Sequence, residues 1–276
     1  MSRTVVRVMT GALALTAAAA VMPLASPASA VADSIVIGGQ PAHVNDSPWV
    51  VALSSRDRFG STRAGQFCGA VAVGPKRVLT AAHCLSEEAL GADVSQIRDL
   101  RVISGRDELN GSGGKEIAVS GTWVNPGFDV TTNSGDVAVL TLAEALPTQS
   151  VIPMAEAGDA GYRSGTAAVV YGWGDTTGNG DYVSSLRSAK VSVLPNSACE
   201  RAYPGGRNGT YEASAMLCAG ELQGGYDACQ GDSGGPLVAH GRLIGLVSWG
   251  SGCGRAGSPG VYTRISAAIG WMAVAG

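Results

Sequence analysis

The chain has 276 residues, 45% of them hydrophobic and only 15% charged, which excludes a disordered protein and fits one large β domain or two small ones. A formal charge of -3 argues against a nucleic-acid binder, which needs a basic face. Forty glycines against three phenylalanines point to tight turns and short strands, not long helices.

Arg3 and Arg7 precede an apolar run from Val8 through Leu24, and no further charge occurs before Asp33. Ala28-Ser29-Ala30 then offers the small-x-small pattern that a signal peptidase accepts, so residues 1–30 read as a signal peptide. Pro23 and Pro27 interrupt the run, which is short for a bilayer span of about 20 residues. No twin-arginine pair precedes it, so the route is general secretion. No later stretch approaches spanning length. The expected location is extracellular, with no membrane association once the signal is removed.

Export places the six cysteines in an oxidising compartment, where an even number reads as disulfides. A metal site is disfavoured, because no Cys-x-x-Cys pair occurs and the three histidines are scattered. Three bridges allow fifteen pairings, and the residues alone leave them open.

Beyond the leader, short β-rich runs follow in order. They are Val50–Leu53, Val71–Val73, Arg77–Thr80, Val102–Ser104, Val137–Leu142, Ala167–Tyr171, Lys190–Leu194, Leu237–Val238, Leu243–Trp249 and Val261–Arg264. Glycine, proline and Asn/Asp-rich stretches separate nearly all of them, as in a sandwich or barrel. Only Ser266–Val274 reads as a helix, with Ser266 as its cap and Ile269 and Met272 three apart. Leu109–Lys115 and Thr176–Asp181 are expected to be mobile surface loops. Asn110-Gly-Ser and Asn208-Gly-Thr match the N-glycosylation triplet but read more simply as turns.

Three segments carry chemistry: Thr80-Ala81-Ala82-His83-Cys84, Asp136-Val137-Ala138-Val139-Leu140, and Gly231-Asp232-Ser233-Gly234-Gly235-Pro236. A serine hydroxyl becomes a useful nucleophile only when a base takes its proton. A histidine can do so near neutral pH, and a buried carboxylate fixes its tautomer and stabilises the imidazolium. His83, Asp136 and Ser233 are the residue types for those roles, and the glycine-rich turn around Ser233 can offer backbone N–H groups to an oxyanion. Each segment alone is weak; their coincidence with a leader and with neighbouring cysteines is not. Gly231-x-Ser233-x-Gly235 also fits the elbow of α/β-hydrolases, but that elbow needs a following helix and a later catalytic histidine. Here Pro236 and a strand follow, and His240 sits in a turn. The order His, Asp, Ser also excludes the subtilisin arrangement.

These segments resemble the signatures of the trypsin/chymotrypsin family of serine peptidases. Val36-Ile37-Gly38-Gly39, Tyr171-Gly172-Trp173-Gly174, Ser248-Trp249-Gly250 and Pro259-Gly260-Val261-Tyr262-Thr263 extend the resemblance over essentially everything after residue 35. It implies an all-β fold of two six-stranded antiparallel Greek-key barrels with a C-terminal helix. It also implies disulfides Cys68–Cys84, Cys199–Cys218 and Cys229–Cys253, and oxyanion donors on Gly231 and Ser233. Asp227, six residues before the serine, would lie in the primary specificity pocket and favour arginine or lysine, with Gly250 and Gly260 leaving the entrance open. Many relatives have a hydroxyl residue where this chain has Ala228. A guanidinium can reach Asp227 directly with two bonds, whereas the shorter ammonium often needs a bridge, so arginine is expected over lysine. Ser248-Trp249-Gly250 resembles the segment that pairs with substrate as an added strand.

By the same resemblance residues 31–35 are a short propeptide and the peptidase domain runs from 36 to 276, with Ile35-Val36 as an alternative start shifted by one residue. The α-amine of Val36 would pair with Asp232 in a zymogen-type activation. Activation in such enzymes typically follows a basic residue, but no Lys or Arg occurs between Arg7 and Arg56, so another peptidase must finish the N-terminus. So short a propeptide on an alanine- and glycine-rich chain is of the kind bacteria secrete. Some relatives hold calcium after the histidine; Ser104-Gly105-Arg106-Asp107-Glu108 puts a cation there, so no metal and no cofactor is expected. The expected partners of this monomer are protein or peptide substrates and protein inhibitors, not nucleic acid. The competing reading is a non-catalytic binding protein on the same fold, and it is disfavoured because no triad residue is lost.

Overall fold

The apolar runs of this chain are continuous rather than alternating because its strands are covered on both faces. The computed structural model describes residues 39–206 and 209–273, with Met1 and Thr4. The rest of the expected signal peptide, the expected propeptide, Val36, Asn208 and Val274 at the end of the expected helix lie outside the described residues. After a two-residue strand β1 (Gln40–Pro41) come β2 (Val50–Ser54), β3 (Gln66–Gly74), β4 (Arg77–Thr80), β5 (Arg101–Ser104), β6 (Lys115–Val124) and β7 (Ala138–Leu142). The last six close into an antiparallel barrel in the order β2-β3-β4-β7-β6-β5. Successive side chains of a strand point to opposite faces. Val51, Leu53, Ala70, Ala72, Val78, Leu140 and Leu142 fill this barrel. The intervening Val71, Leu79 and Val139 turn outward and pack against the second half of the chain.

That half repeats the plan. Strands β8 (Ala167–Gly172), β9 (Arg187–Val193), β10 (Met216–Gly220), β11 (Pro236–Ala239), β12 (Arg242–Trp249) and β13 (Gly260–Arg264) close in the order β8-β9-β10-β13-β12-β11, with β1 added beside β9. In both barrels the third strand pairs with the sixth, which is the Greek-key crossing. Val170, Val191, Leu217, Leu237 and Ile244 fill the second barrel. Between the barrels, Val238, Leu243 and Leu246 meet the outward side chains of the first, and Ile265, Ala268 and Met272 join them from the C-terminal helix. Each large side chain buried there contributes about 1.5–3 kcal/mol.

The helices are α1 (Arg56–Phe59), α2 (Glu87–Leu90), α3 (Asn196–Ala202) and α4 (Ile265–Met272). The expectation of a single helix is thus corrected. The α3 segment is short and is tied to β10 by the Cys199–Cys218 disulfide. The expected cap is corrected as well: Arg264 is the N-cap of α4 and makes no side-chain cap bond, while the Ser266 N–H donates to the Tyr162 hydroxyl at 2.9 Å. The other two disulfides are Cys68–Cys84 and Cys229–Cys253. Among the described residues, no helix is long and apolar enough to cross a membrane. In the first glycosylation triplet, Asn110 accepts the Arg63 N–H at 2.8 Å, a turn-forming role.

A half-buried ionic knot closes the loop between β5 and β6. Arg106, 8% exposed, donates to the Gly113 carbonyl at 2.6 Å and to Glu116 at 2.8 Å. Arg56 grips both oxygens of Glu116, at 2.6 and 2.8 Å. The Arg56 bonds, acting against partial burial, hold the Glu116 carboxyl down at about 2. A carboxyl depressed in the folded state stabilises the fold above its unfolded pKa, and that contribution is lost as pH falls toward 2. Arg106→Ala is therefore expected to cost about 1–3 kcal/mol at neutral pH in denaturant unfolding, with the difference from wild type shrinking on acidification. With the Arg106 guanidinium already inside this loop, neither calcium nor a chelator should shift the thermal midpoint.

Candidate functional site

The pairing of third with sixth strands decides which loops meet. In the first barrel Thr80 of β4 pairs with Ala138 of β7, so the loop leaving β4 and the loop entering β7 emerge side by side. His83 is on one and Asp136 on the other. In the second barrel Ala219 of β10 pairs with Gly260 of β13, which brings the segment holding Asp227 to Ser233 beside the one running from Gly250 to Pro259. Equivalent corners of two similar barrels thus build one site.

His83 lies in a single 3-10 turn, Ala82–Leu85, and its side chain is 29% exposed. Its Nδ1 is 2.8 Å from Asp136 Oδ2, and its own backbone N–H donates to Asp136 Oδ1 at 2.9 Å. Asp136 is fully buried. Ser248 from β12 donates to its Oδ2 at 2.5 Å, and Thr263 from β13 donates to its main-chain oxygen at 2.6 Å. An acid on the first barrel is thus held in part by hydroxyls of the second. With Nδ1 facing a carboxylate, Nε2 is the ring nitrogen left for a proton in transit.

Ser233 is fixed through its backbone. Its carbonyl accepts the Gly69 N–H of β3 at 2.8 Å and lies 3.6 Å from Cys84 Sγ, which is itself 3.9 Å from His83 Nε2. The Cys68–Cys84 bridge therefore touches both the imidazole and the serine backbone. Among the described residues no hydrogen bond joins His83 Nε2 to Ser233 Oγ. Gly69 has to be glycine here, because a Cβ would come 2.8 Å from the Gly235 Cα. The turn before the serine needs Gly231 at φ +92°, a conformation that L side chains rarely adopt. The N–H groups of Gly231 and Ser233 have no partner among the described residues.

Ser233 also lines a cavity of about 190 Å³ together with Asp227, Ala228, Ser248, Trp249, Gly250 and Gly260. A Cβ on Gly260 would stand 2.7 Å from Asp227 Oδ1 and close the cavity onto the acid. Asp227 is 4% exposed and, among the described residues, accepts two backbone N–H bonds, from Ala228 at 2.9 Å and Gly254 at 3.1 Å. Desolvation outweighs those bonds and pushes its carboxyl up to about 7. Trp249 serves the cavity and the core together, its ring meeting Tyr203 edge-on at 4.8 Å. Asp232 points the other way, into the protein. It is fully buried, accepts N–H bonds from Gly174 at 2.8 Å and Cys229 at 2.9 Å, and is raised by desolvation to about 6.

Sequence reasoning missed Tyr262, which also lines the cavity and whose buried hydroxyl finds no hydrogen-bond partner among the described residues. The signal was present: Gly260 and Tyr262 stand two apart on β13 and so share a face. Among the described residues, one group of potential metal ligands lies together at the site. The cluster Cys68, His83 and Cys84 has both of its sulfurs committed to a disulfide.

Residues 36–272 match the family described as Trypsin. The chain is 43% identical over 232 residues to the trypsin of Saccharopolyspora erythraea, covering 84% of this chain and 94% of that protein. It is 33% identical over 252 residues to trypsin I-P1 of Gallus gallus, covering 90% and 92%. With the trypsin of Sus scrofa it shares 31% over 245 residues, covering 87% and 95%.

Burial lowers the basicity of His83, but the charge of Asp136 and the bond to it more than compensate, so its pKa lies above the ordinary 6.5. An NMR titration of the His83 ring should give a midpoint above that value. Asp136→Asn removes the charge and leaves the desolvation, and should move the midpoint below it.

Proposed function

The chain belongs to the trypsin family and is a serine endopeptidase, and we propose that it cleaves on the carboxyl side of arginine, less readily lysine, through an acyl-enzyme on Ser233. His83 takes the serine proton as Ser233 Oγ attacks the scissile carbonyl, then returns it to the leaving amine, and water releases the acyl group by the reverse sequence. Asp136 holds the tautomer and stabilises the imidazolium. The N–H groups of Gly231 and Ser233 receive the oxyanion. The His83–Ser233 hydrogen bond would form when substrate is bound, as catalytic bonds often tighten only in the complex.

The observation that carries this reading is that one cavity is lined by both Ser233 and a desolvated acid, Asp227, with Ser248 on the same wall reaching back to Asp136. A cation entering the cavity meets a carboxylate that water no longer solvates. A guanidinium can meet both oxygens at once, whereas an ammonium finds no hydroxyl on Ala228 to bridge the remaining distance. Ser248-Trp249-Gly250 would pair with the substrate backbone as an added strand.

Maturation fits the same scheme. Residues 1–30 direct export, another peptidase removes residues 31–35, and the freed α-amine of Val36 neutralises buried Asp232. Pairing with Asp232 raises that amine's pKa, so activity fades at high pH as the amine loses its proton and at low pH as His83 gains one. No metal or cofactor takes part. Protein inhibitors that present an arginine or lysine to Asp227 are its natural partners besides substrates.

Labelling with a fluorophosphonate tests the chemistry: the matured enzyme should react stoichiometrically at Ser233, and a binding protein on the same fold would not. On matched peptides kcat/KM should favour arginine over lysine, and Ala228→Ser should narrow the gap; equal values in the wild type would remove the specificity assignment.

The pocket has its own pH signature. With Asp227 near 7 in the empty cavity, the affinity for benzamidine should fall as pH drops below that value, approaching tenfold per unit. Binding at neutral pH should release a proton into the buffer, which calorimetry in two buffers would detect.

A further inference from the structure

We propose that Asp175 and Gln66 are positioning residues for the oxyanion turn, aiming the Gly231 N–H by holding the carbonyls on either side of it. The inference rests on the oxyanion role given to that turn above. In a trans peptide the N–H and C=O point in opposite directions, so fixing a carbonyl fixes the N–H of the same unit. The Gln230 carbonyl, in the unit that carries the Gly231 N–H, accepts the Asp175 N–H at 2.7 Å. The Gly231 carbonyl accepts Gln66 Nε2 at 2.8 Å. The Asp232 carbonyl, in the unit that carries the Ser233 N–H, accepts the Gly235 N–H at 2.8 Å. Three successive units are thus pinned. The last bond is local to the turn; the other two come from distant parts of the chain.

Both distant donors are themselves held. Asp175 is 2% exposed, and its carboxylate accepts the N–H groups of Thr177, Gly178, Gly180 and Asp181 at 2.9, 3.0, 2.7 and 3.2 Å. The polar loop that follows therefore wraps around this side chain. Together with the bond from Gly174 N–H to Asp232, this lays residues 174 and 175 along the turn. Gln66 is 4% exposed, and its amide oxygen accepts from the Arg63 guanidinium. Arg63 also donates to the carbonyls of Trp173 at 2.7 Å and Val183 at 2.9 Å and lies over the Tyr182 ring. With a cation fixing the oxygen, the Gln66 nitrogen can only face Gly231. Neither Asp175 nor Gln66 lines the cavity that takes the cation. Their effect should therefore fall on the transition state and spare ground-state binding.

The test compares kcat, KM, benzamidine affinity and affinity for a peptidyl boronate, which needs the oxyanion donors, in the matured enzyme. Asp175→Ala is expected to lower kcat by about tenfold or more with KM within about twofold, less than the loss of a whole donor. The boronate should weaken in step while benzamidine binds as in the wild type. Asp175→Asn, which keeps one acceptor oxygen, should show a smaller loss. Gln66→Met removes only the amide and should give the same pattern; because it leaves the loop intact, it decides the matter if Asp175→Ala fails to fold. Wild-type kcat in either variant overturns that residue's assignment, and parallel losses of benzamidine and boronate affinity overturn the positioning role. A wild type that neither turns over peptide nor labels at Ser233 instead refutes the proposed function itself.

Discussion

Ser233 belongs to the second barrel, yet a hydrogen bond from the first holds it: the Gly69 N–H donates to its carbonyl at 2.8 Å. Around that bond Thr80 Oγ1 donates to the Gly69 carbonyl, also at 2.8 Å, and Cys84 leans against Ser233 from the residue beside His83. The approach is close enough that a single methyl group on Gly69 or Gly234 would meet backbone. Such contact is possible only because the apolar outer faces of β3, β4 and β7 pack against β11, β12 and α4 behind it. The interface therefore does two things at once. It completes the core, and it sets the distance between groups that neither barrel could present alone.

Three buried acids around this interface differ in how they are solvated, and the differences sort their tasks. Asp136 receives one backbone N–H, the His83 ring and the Ser248 hydroxyl, a nearly complete replacement for water. Asp227 and Asp232 each receive two backbone N–H bonds and remain short of partners, so burial raises both. An acid left wanting a cation is costly by itself, and a fold keeps one where a cation arrives later. Asp227 faces an open cavity and Asp232 faces the interior, so on the proposed function the first would meet a cation of the substrate and the second the chain's own α-amine.

Much of this was legible in the letters. Doubly buried strands such as β2 and residues 243–247 of β12 stand out as apolar runs, and the candidate site residues sit in short, distinctive segments. What was missed shares a physical cause. Strand β6 exposes Lys115, Ser120 and Thr122 and carries Gly121, so its pattern looks like a loop until both neighbours in the barrel are known. Strand β10, Met-Leu-Cys-Ala-Gly, is made mostly of weak strand formers and owes its form to β9 and β13. Helix α3 is too short to show a period. Asp175 and Gln66 act through backbone groups, and a carbonyl held in place leaves no trace in the side chain of its own residue.

All six cysteines are spent within single barrels: Cys68–Cys84 in the first, Cys199–Cys218 and Cys229–Cys253 in the second. No disulfide crosses the seam, so the halves are joined by the connecting chain, by packing and by the hydrogen bonds that Gly69, Gln66, Ser248 and Thr263 make across it. On the proposed function, a chain with only its first barrel and that barrel's one bridge complete would hold an imidazole and an acid with no serine hydroxyl beside them. Assembly of the site therefore waits on the second half of the chain, and the maturation proposed above would still have to follow.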